Sequence, residues 1–480
     1  MRIYPFLLAI LFVISAGTPA RSQEEPDHFK AALDFYRASE LDKAVSELQV
    51  SLQQRPDDPL ILGWLGFIHL KQGKADEAVS ALEKAVSQQD DSADAYNNLG
   101  SAYVAKGRTA DAVKAYEKAV SLNPKSSGAA YNVANLYVKQ NRLDDAIKQY
   151  DAAIALTPDD PSIWNNLGYA YYLKSDWENA VEAYSKAVSL LGEDAVLQLN
   201  LGIALSRKGS HDKAIEVLQK AVSLEESNYQ ARVALGEAYV AKNLPEPAIV
   251  HFRKAAELKP AEFVPHYNVA VLCGKTGDYQ GAIEESNKAL AIRPNELNVM
   301  NNLGWIYFNQ GKFVEAREHF ENAVKLNKNY AVGHSNLAVT HQKMGNTEQA
   351  KAEWLEVQRI NPKSVLAAVS LGNIHLGAKA YGRAEAQYRS AYESESGNVH
   401  ALNGLGLVAE RTDRLDAAIE WYTRALASDP NFAYVYNNLA VVYEKQKLLD
   451  KAIQHYRKAL ALKPDYEDAK KNLGRLTPPE

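Results

Sequence analysis

The 480-residue sequence predicts an all-α chain, a solenoid of thirteen stacked helix–turn–helix units. Three observations predict it. From Ala44 an alanine recurs every 34 residues, through Ala78, Ala112 and Ala146 to Ala452, thirteen in register without an insertion or deletion. Self-similarity at that period marks stacked supersecondary repeats. Other columns keep the same register: a Gly or Ala stands twelve residues before each alanine, from Ala32, Gly66 and Gly100 to Gly406 and Ala440. No strand-like alternation of apolar and polar residues competes with the helical spacing.

Each element of the unit follows from its residues. In the first helix the Gly/Ala column leaves a hole against which a neighbouring helix can pack closely. That helix ends five residues before the alanine, where Gly73, Gly107, Gly209, Gly277, Gly311, Gly345, Asn141 and Asn243 stand. Gly and Asn adopt the left-handed conformation cheaply, so they stop a helix and turn the chain. The second helix carries the ruler alanine and, seven residues on, another Ala in most units (Ala85, Ala119, Ala153). Between them lies an aromatic knob: Tyr116, Tyr150, Tyr184, Phe252, Phe320, Trp354, Tyr388, Tyr422 or Tyr456. Pro56, Pro124, Pro158 and Pro464 are among the prolines that close units, because proline cannot continue a helix. The recurring columns account for a composition of 27 Tyr against 11 Phe.

Composition excludes several classes. The chain is 46 % hydrophobic and 24 % charged, with mean hydropathy −0.35, which fits neither a disordered chain nor a multi-span membrane protein. Lys and Arg number 54 against 59 Asp and Glu, a net charge of −5, and no basic run appears, so nucleic acid is not an expected partner. Residues 1–22 have the layout of a secretory signal peptide: Arg2, an apolar stretch from Ile3 to Ile14, then small residues with Thr18-Pro19-Ala20 or Ala20-Arg21-Ser22 at the cleavage site. An uncleaved anchor is the alternative, although the apolar stretch is short for a span of about 20 residues. Cys273 is the sole cysteine, so packing alone must hold the fold. Asn-x-Ser/Thr is absent, which favours a bacterial exported protein, periplasmic or secreted.

Tyr96-Asn97-Asn98-Leu99-Gly100, Tyr103, Ala112, Tyr116, Ala119 and Pro124 together resemble the idealised unit of the tetratricopeptide repeat (TPR) family. The resemblance spans about residues 25–466 and implies a right-handed α-solenoid (superhelix). The predicted organisation is a signal peptide at 1–22, repeats over 23–466 (the first about 25–58, the last about 433–466), and a cap helix with tail at 467–480. Departures are mild: Ala32 and Phe35 replace Gly and Tyr in the first unit, and Ser286 replaces an aromatic.

Little of the chain is left for catalysis, so no enzyme activity, cofactor or metal is expected. Gly274-Lys275-Thr276 ends like a P-loop, but Val269 stands at the first required Gly and a helix precedes it. His334, His341 and His375 are the best metal candidates, yet two of them occupy the core column of Tyr103, Tyr137, Tyr171 and Cys273, where a satisfied core histidine is the simpler reading.

The functional signal is a ladder of asparagines two residues before the Gly/Ala column: Asn98, Asn132, Asn166, Asn200, Asn268, Asn302, Asn336 and Asn438. Asparagine is a poor helix-interior residue, because its side chain competes for backbone hydrogen bonds. By resemblance to the TPR superhelix of O-linked N-acetylglucosamine transferases, whose catalytic half is absent here, this column lines the concave groove and cradles extended polypeptide. The other reading is local hydrogen bonding or a wetted groove. On the first, replacing Asn166, Asn200, Asn268 and Asn302 with Ala weakens capture and leaves melting unchanged. Tyr131, Tyr169, Tyr172, Tyr267, Trp305 and Phe308 join the candidate groove as anchor pockets, sugar-stacking platforms or simple floor cover. The expected function is a non-catalytic scaffold binding other proteins or extended polypeptide segments. The alternative is a scaffold for envelope polysaccharide export, resembling periplasmic TPR proteins of alginate and cellulose secretion that work with an outer-membrane protein.

Overall fold

A computed structural model describes residues 27–477, so the predicted signal peptide, 1–22, lies outside the described residues. Those residues form 27 helices and no strand. They divide into two compact units, one ending at Pro260 and the other starting at Ala261. The first unit contains α1 (His28–Arg37), α2 (Leu41–Gln54), α3 (Pro59–Lys71), α4 (Ala75–Gln88), α5 (Ala93–Ala105), α6 (Thr109–Leu122) and α7 (Ser127–Lys139). It continues with α8 (Leu143–Leu156), α9 (Pro161–Leu173), α10 (Trp177–Leu191), α11 (Ala195–Arg207), α12 (His211–Leu224), α13 (Tyr229–Ala241) and α14 (Pro245–Leu258). The second unit contains α15 (Phe263–Thr276), α16 (Tyr279–Ile292), α17 (Leu297–Asn309), α18 (Phe313–Leu326), α19 (Ala331–Lys343), α20 (Thr347–Ile360) and α21 (Val365–Gly377). It ends with α22 (Tyr381–Ser394), α23 (Val399–Arg411), α24 (Leu415–Ser428), α25 (Ala433–Lys445), α26 (Leu449–Leu462) and α27 (Glu467–Leu476).

The odd-numbered helices from α1 to α25 are the first of each pair, and each packs along its even-numbered successor. Most are capped by a short polar side chain: Asp58 accepts from the backbone of Leu60 and Ile61, Ser92 from Ala95, and Asn228 from Ala231. The turn that follows is stricter than sequence suggests. Besides the eight Gly and Asn residues, Ser39, Ser175, Lys379, Asp413 and Lys447 also have φ between 57° and 62°. Two backbone bonds impose this conformation whatever the side chain. At Gly107 its N–H donates to Val104 and that of Arg108 to Tyr103; at Lys379 its own N–H donates to Leu376 and that of Ala380 to His375.

The core is the knob in its hole. Tyr116, Tyr150, Tyr184, Phe252, Phe320, Trp354, Tyr388, Tyr422 and Tyr456 are all fully buried, and so are the ruler alanines. A Cβ built on Gly100 would stand 2.7 Å from the Tyr116 ring, and one on Gly406 2.4 Å from Tyr422. Tyrosine is used where its hydroxyl can reach a polar partner on the first helix. Tyr116 meets Ser101 Oγ at 2.9 Å, Tyr150 donates to Asn135 at 2.6 Å, and Tyr388 to Asn373 at 2.7 Å. Opposite Leu407 and Val441 the hydroxyls of Tyr422 and Tyr456 reach Glu410 and Glu444 instead, while Trp305 and Ile203 oppose the apolar knobs Phe320 and Leu218.

Within each unit successive first helices also touch one another: α3 with α5, α11 with α13, α15 with α17, α21 with α23. Successive second helices make no comparable contact. The first helices therefore lie on the more tightly drawn, inner side of each stack, and their exposed stripe is the surface to read for function.

Candidate functional site

That stripe repeats every 34 residues and has four rungs at helical spacing i, i+4, i+7, i+11, which places them on one face. In the second unit it reads Val264, Asn268, Val271, Lys275 on α15 and Val332, Asn336, Val339, Lys343 on α19. On α25 it reads Tyr434, Asn438, Val441, Lys445. The first rung is open: Val264 is 39 % exposed, Val332 54 %, Tyr434 42 %, and Leu366 at the same rung of α21 is 59 %. On α17 the third rung is Trp305, 40 % exposed. The stripe of the first unit is mixed: α5 carries Asp94, Asn98, Ser101 and Ala105 and α9 carries Ser162, Asn166, Tyr169 and Leu173, whereas α3 carries Leu60, 49 % exposed, then Trp64, Phe67 and Lys71.

The ladder asparagines are distributed unevenly. Asn98, Asn132, Asn166 and Asn200 are buried, and Asn268, Asn302, Asn336 and Asn438 are half-buried, Asn268 with Nδ2 on the Val264 carbonyl at 3.0 Å. Several amides clamp the preceding repeat. Nδ2 of Asn132 donates to Asn97 Oδ1 at 3.1 Å, Asn200 to Asn165 at 2.9 Å, Asn336 to Asn301 at 2.7 Å and Asn438 to Asn403 at 3.0 Å. Asn166 donates to Tyr131 Oη at 2.9 Å and to Asn135 Oδ1 at 3.0 Å. The bond recurs in the cap, from Asn472 to Asn437 at 3.3 Å.

The acceptors Asn97, Asn165, Asn301, Asn403 and Asn437 stand one position before the ladder and recur as a column of their own. The donor is absent 35 residues after Leu199 and Val369, where Ala234 and Gly404 stand, but it is kept as Asn268 after Val233. Asn98 follows Gly63 and Asn302 follows Tyr267, and the Nδ2 of both is buried without a partner. The ladder is thus partly an inter-repeat fastener and partly a set of unspent donors.

Among the predicted aromatics, Tyr131 is buried, and burial raises its phenol pKa. Tyr169, Tyr172, Tyr267 and Phe308 are half-buried, and three of these already have ring partners. Tyr172 meets Trp177 edge-on at 5.0 Å, Tyr267 stacks on Phe263 at 5.5 Å, and Phe308 meets Phe313 at 5.3 Å. Trp305 is the exposed ring of the set. His334 uses both ring nitrogens, Nδ1 on Glu353 at 2.5 Å and Nε2 on the Lys328 carbonyl at 3.2 Å. His341 and His375 are buried, with pKa lowered by that burial. No group of three His, Cys, Asp or Glu among the described residues is arranged to hold a metal ion.

Family profiles described as tetratricopeptide repeat match residues 29–79, 65–127 and 199–263, then 159–227 and 263–329, 307–371, 115–148 and 433–466. A profile described as TPR repeat matches 134–175 and 411–447. The chain belongs to the tetratricopeptide repeat family. Its paired helices, knobs and Gly/Ala holes are those of a TPR scaffold, a fold suited to protein–protein interaction. No curated protein matches the chain. Among solved structures, yeast Tom70 is 18 % identical, covering 87 % of this chain and 94 % of its own, with TM-score 0.38. PilF of Pseudomonas aeruginosa is 22 % identical over 47 % of this chain and 98 % of its own, TM-score 0.38. YrrB, described as a TPR protein with an unusual peptide-binding site, is 26 % identical over 39 % of this chain and 97 % of its own, TM-score 0.36.

Proposed function

We propose that this TPR protein is a non-catalytic scaffold, exported from the cytoplasm, that holds extended polypeptide on the inner stripe of its first helices. The observation that carries the reading is the repeated apolar–amide–apolar rung pattern of α15, α19 and α25. Exposed Val264, Val332, Leu366 and Tyr434 recur at one register of the second unit. Exposed apolar side chains in a row mark a surface used for contact. Beside them the Asn268 amide, half-buried, bonds only the Val264 carbonyl of its own helix, and an amide between apolar rungs serves a peptide backbone regardless of its side chains.

Binding is tested with purified residues 23–480 on an array of peptides about 15 residues long, enough to lie extended across several repeats. Val332→Asp with Leu366→Asp abolishes retention while helicity stays intact; retention by the double variant at the level of the parent refutes the reading. Export is tested by N-terminal mass spectrometry of the native protein. A mature end following Ala20 or Ser22 supports it, and an intact Met1 in the cytosol refutes it. A second reading, a scaffold for envelope polysaccharide, draws on Trp305, whose exposed ring suits stacking on a sugar. Retention of alginate or cellulose oligosaccharides, lost in Trp305→Ala, would favour it over polypeptide.

A further inference from the structure

The fourth rung of the stripe is basic at every second repeat. Lys71, Lys139, Arg207, Lys275, Lys343 and Arg411 follow one another at intervals of 68 residues, and all are exposed. In the second unit Lys275, Lys343 and Arg411 have no carboxylate partner among the described residues. Elsewhere the chain does pair its lysines. One residue further along the first helix, Lys106, Lys174, Lys208 and Lys242 each reach an acid 30 residues back: Asp76, Asp144, Glu178 and Asp212.

The rung faces the same way as the ladder, because it makes the same sideways step. Lys445 Nζ donates to Glu410 at 2.9 Å, 35 residues earlier, as Asn438 does to Asn403. Two acids beside this rung are already neutralised. Glu410 is held by Lys445 and by the Tyr422 hydroxyl at 3.5 Å, and Glu444 by Arg475 at 2.7 Å and the Tyr456 hydroxyl at 3.0 Å. Three cations therefore remain uncompensated on a surface whose neighbouring rungs are apolar and amide.

Resting on the polypeptide reading above, we infer that the second unit selects an extended polypeptide with sparse internal acidic residues, which meet Lys275, Lys343 and Arg411 while apolar residues between them meet the first and third rungs. Neighbouring first helices lie roughly 10 Å apart, so cations on alternate repeats stand about 20 Å apart, a span an extended chain covers in about six residues. The charges of a nucleic-acid backbone come several times more densely, and its binders neutralise many phosphates at once. The sparse spacing suits a peptide.

The test uses residues 23–480 and fluorescein-labelled, C-terminally amidated 20-residue peptides of Ala, Val and Ser with Glu, Gln or Lys at every sixth position, read by anisotropy at low and high salt. The Glu peptide binds about tenfold tighter than the Gln peptide at low salt, and the preference fades as salt screens it. Lys275→Gln/Lys343→Gln/Arg411→Gln removes the preference, whereas Lys325→Gln/Arg457→Gln/Lys458→Gln on the second helices keeps it. Equal binding of the Glu and Gln peptides overturns the inference and leaves the polypeptide reading standing; failure of every peptide overturns both. Tighter binding of single-stranded (dT)20 than of the Glu peptide overturns the inference in favour of nucleic acid.

Discussion

The pair Asn97 and Asn132 sets a quantitative trap for the claim that ladder amides fasten neighbouring repeats. Both side chains are buried, 7 % and 2 % exposed, and one bond of 3.1 Å joins them. The Oδ1 of Asn132 is already without a partner. Asn97→Ala therefore strands the whole Asn132 amide, a cost of about 2 kcal/mol for orphaned buried polar atoms. Asn132→Ala removes the donor together with an oxygen that was unsatisfied anyway and newly strands only the Asn97 Oδ1, a cost of about 1 kcal/mol. Alanine's better helix propensity returns roughly 0.5 kcal/mol at each site, leaving net losses near ~1.5 and ~0.5 kcal/mol. Loss of the first partner makes the second worthless, so the double variant loses only about 1 kcal/mol instead of the additive ~2, a coupling near ~1 kcal/mol. A solenoid need not unfold in one step. The measurement is accordingly hydrogen exchange of α5 and α7 amides, alongside urea midpoints by circular dichroism. Additive losses, or a larger loss for Asn132→Ala than for Asn97→Ala, would refute the fastener. The same logic changes which variants isolate binding. Ala at Asn166 and Asn200 lowers stability as well as capture, whereas Asn268 and Asn302 make no bond to the preceding repeat's acceptor column and leave melting unchanged.

Three further outcomes are expected. Gly100→Ala costs about 1 kcal/mol and Gly100→Val about 3 kcal/mol by urea denaturation, since the added Cβ meets the Tyr116 ring at 2.7 Å; the neighbouring unit already accepts Ala134 against Tyr150, which is why the smaller step is tolerated. Lys379→Gly raises stability by about 1 kcal/mol, because Lys379 is held at φ 57° where a Cβ is strained; an unchanged or lower midpoint would show that glycine's entropy outweighs that strain. The Glu385 carboxyl is held below its usual 4.5 by Arg414 at 2.7 Å, against the burial that raises it, with Arg389 at 2.8 Å assisting. A depressed folded pKa gives stability that is present above the unfolded value and lost as pH falls through the folded one. Glu385→Gln should flatten the acid side of the stability curve below pH 4.5 and lower the plateau above it.

Much of the fold was legible because its determinants are local and repeated. Ruler alanines, knobs and holes recur at one spacing, so each copy corroborates the others. The turns were only half legible: Gly and Asn announce the left-handed residue, but Ser39, Ser175, Lys379, Asp413 and Lys447 are placed there by backbone bonds that composition does not display. The candidate site divides in the same way. The ladder stood out as a column, yet its acceptors lie 35 residues away in a different column, so the pairing is invisible to any comparison made within one register. Tyr131 likewise reads as a groove aromatic, and in three dimensions it is the buried acceptor for Asn166. Exposure decides between such readings, and exposure is a property of the stacked neighbours rather than of the residue.

The asparagine bonds also bear on how such an array can grow or shrink. Recombination that removes 34 residues preserves every column, but not every handshake. Excising 127–160 would bring the acceptor Asn97 beside the donor Asn166, a matched pair, and the seam would close. Excising 195–228 would set Asn165 against Ala234, leaving an acceptor with nothing to accept. Units that look interchangeable by their packing residues therefore carry a polarity code that fixes which neighbours each will tolerate, and the order of repeats in this chain is itself inherited information.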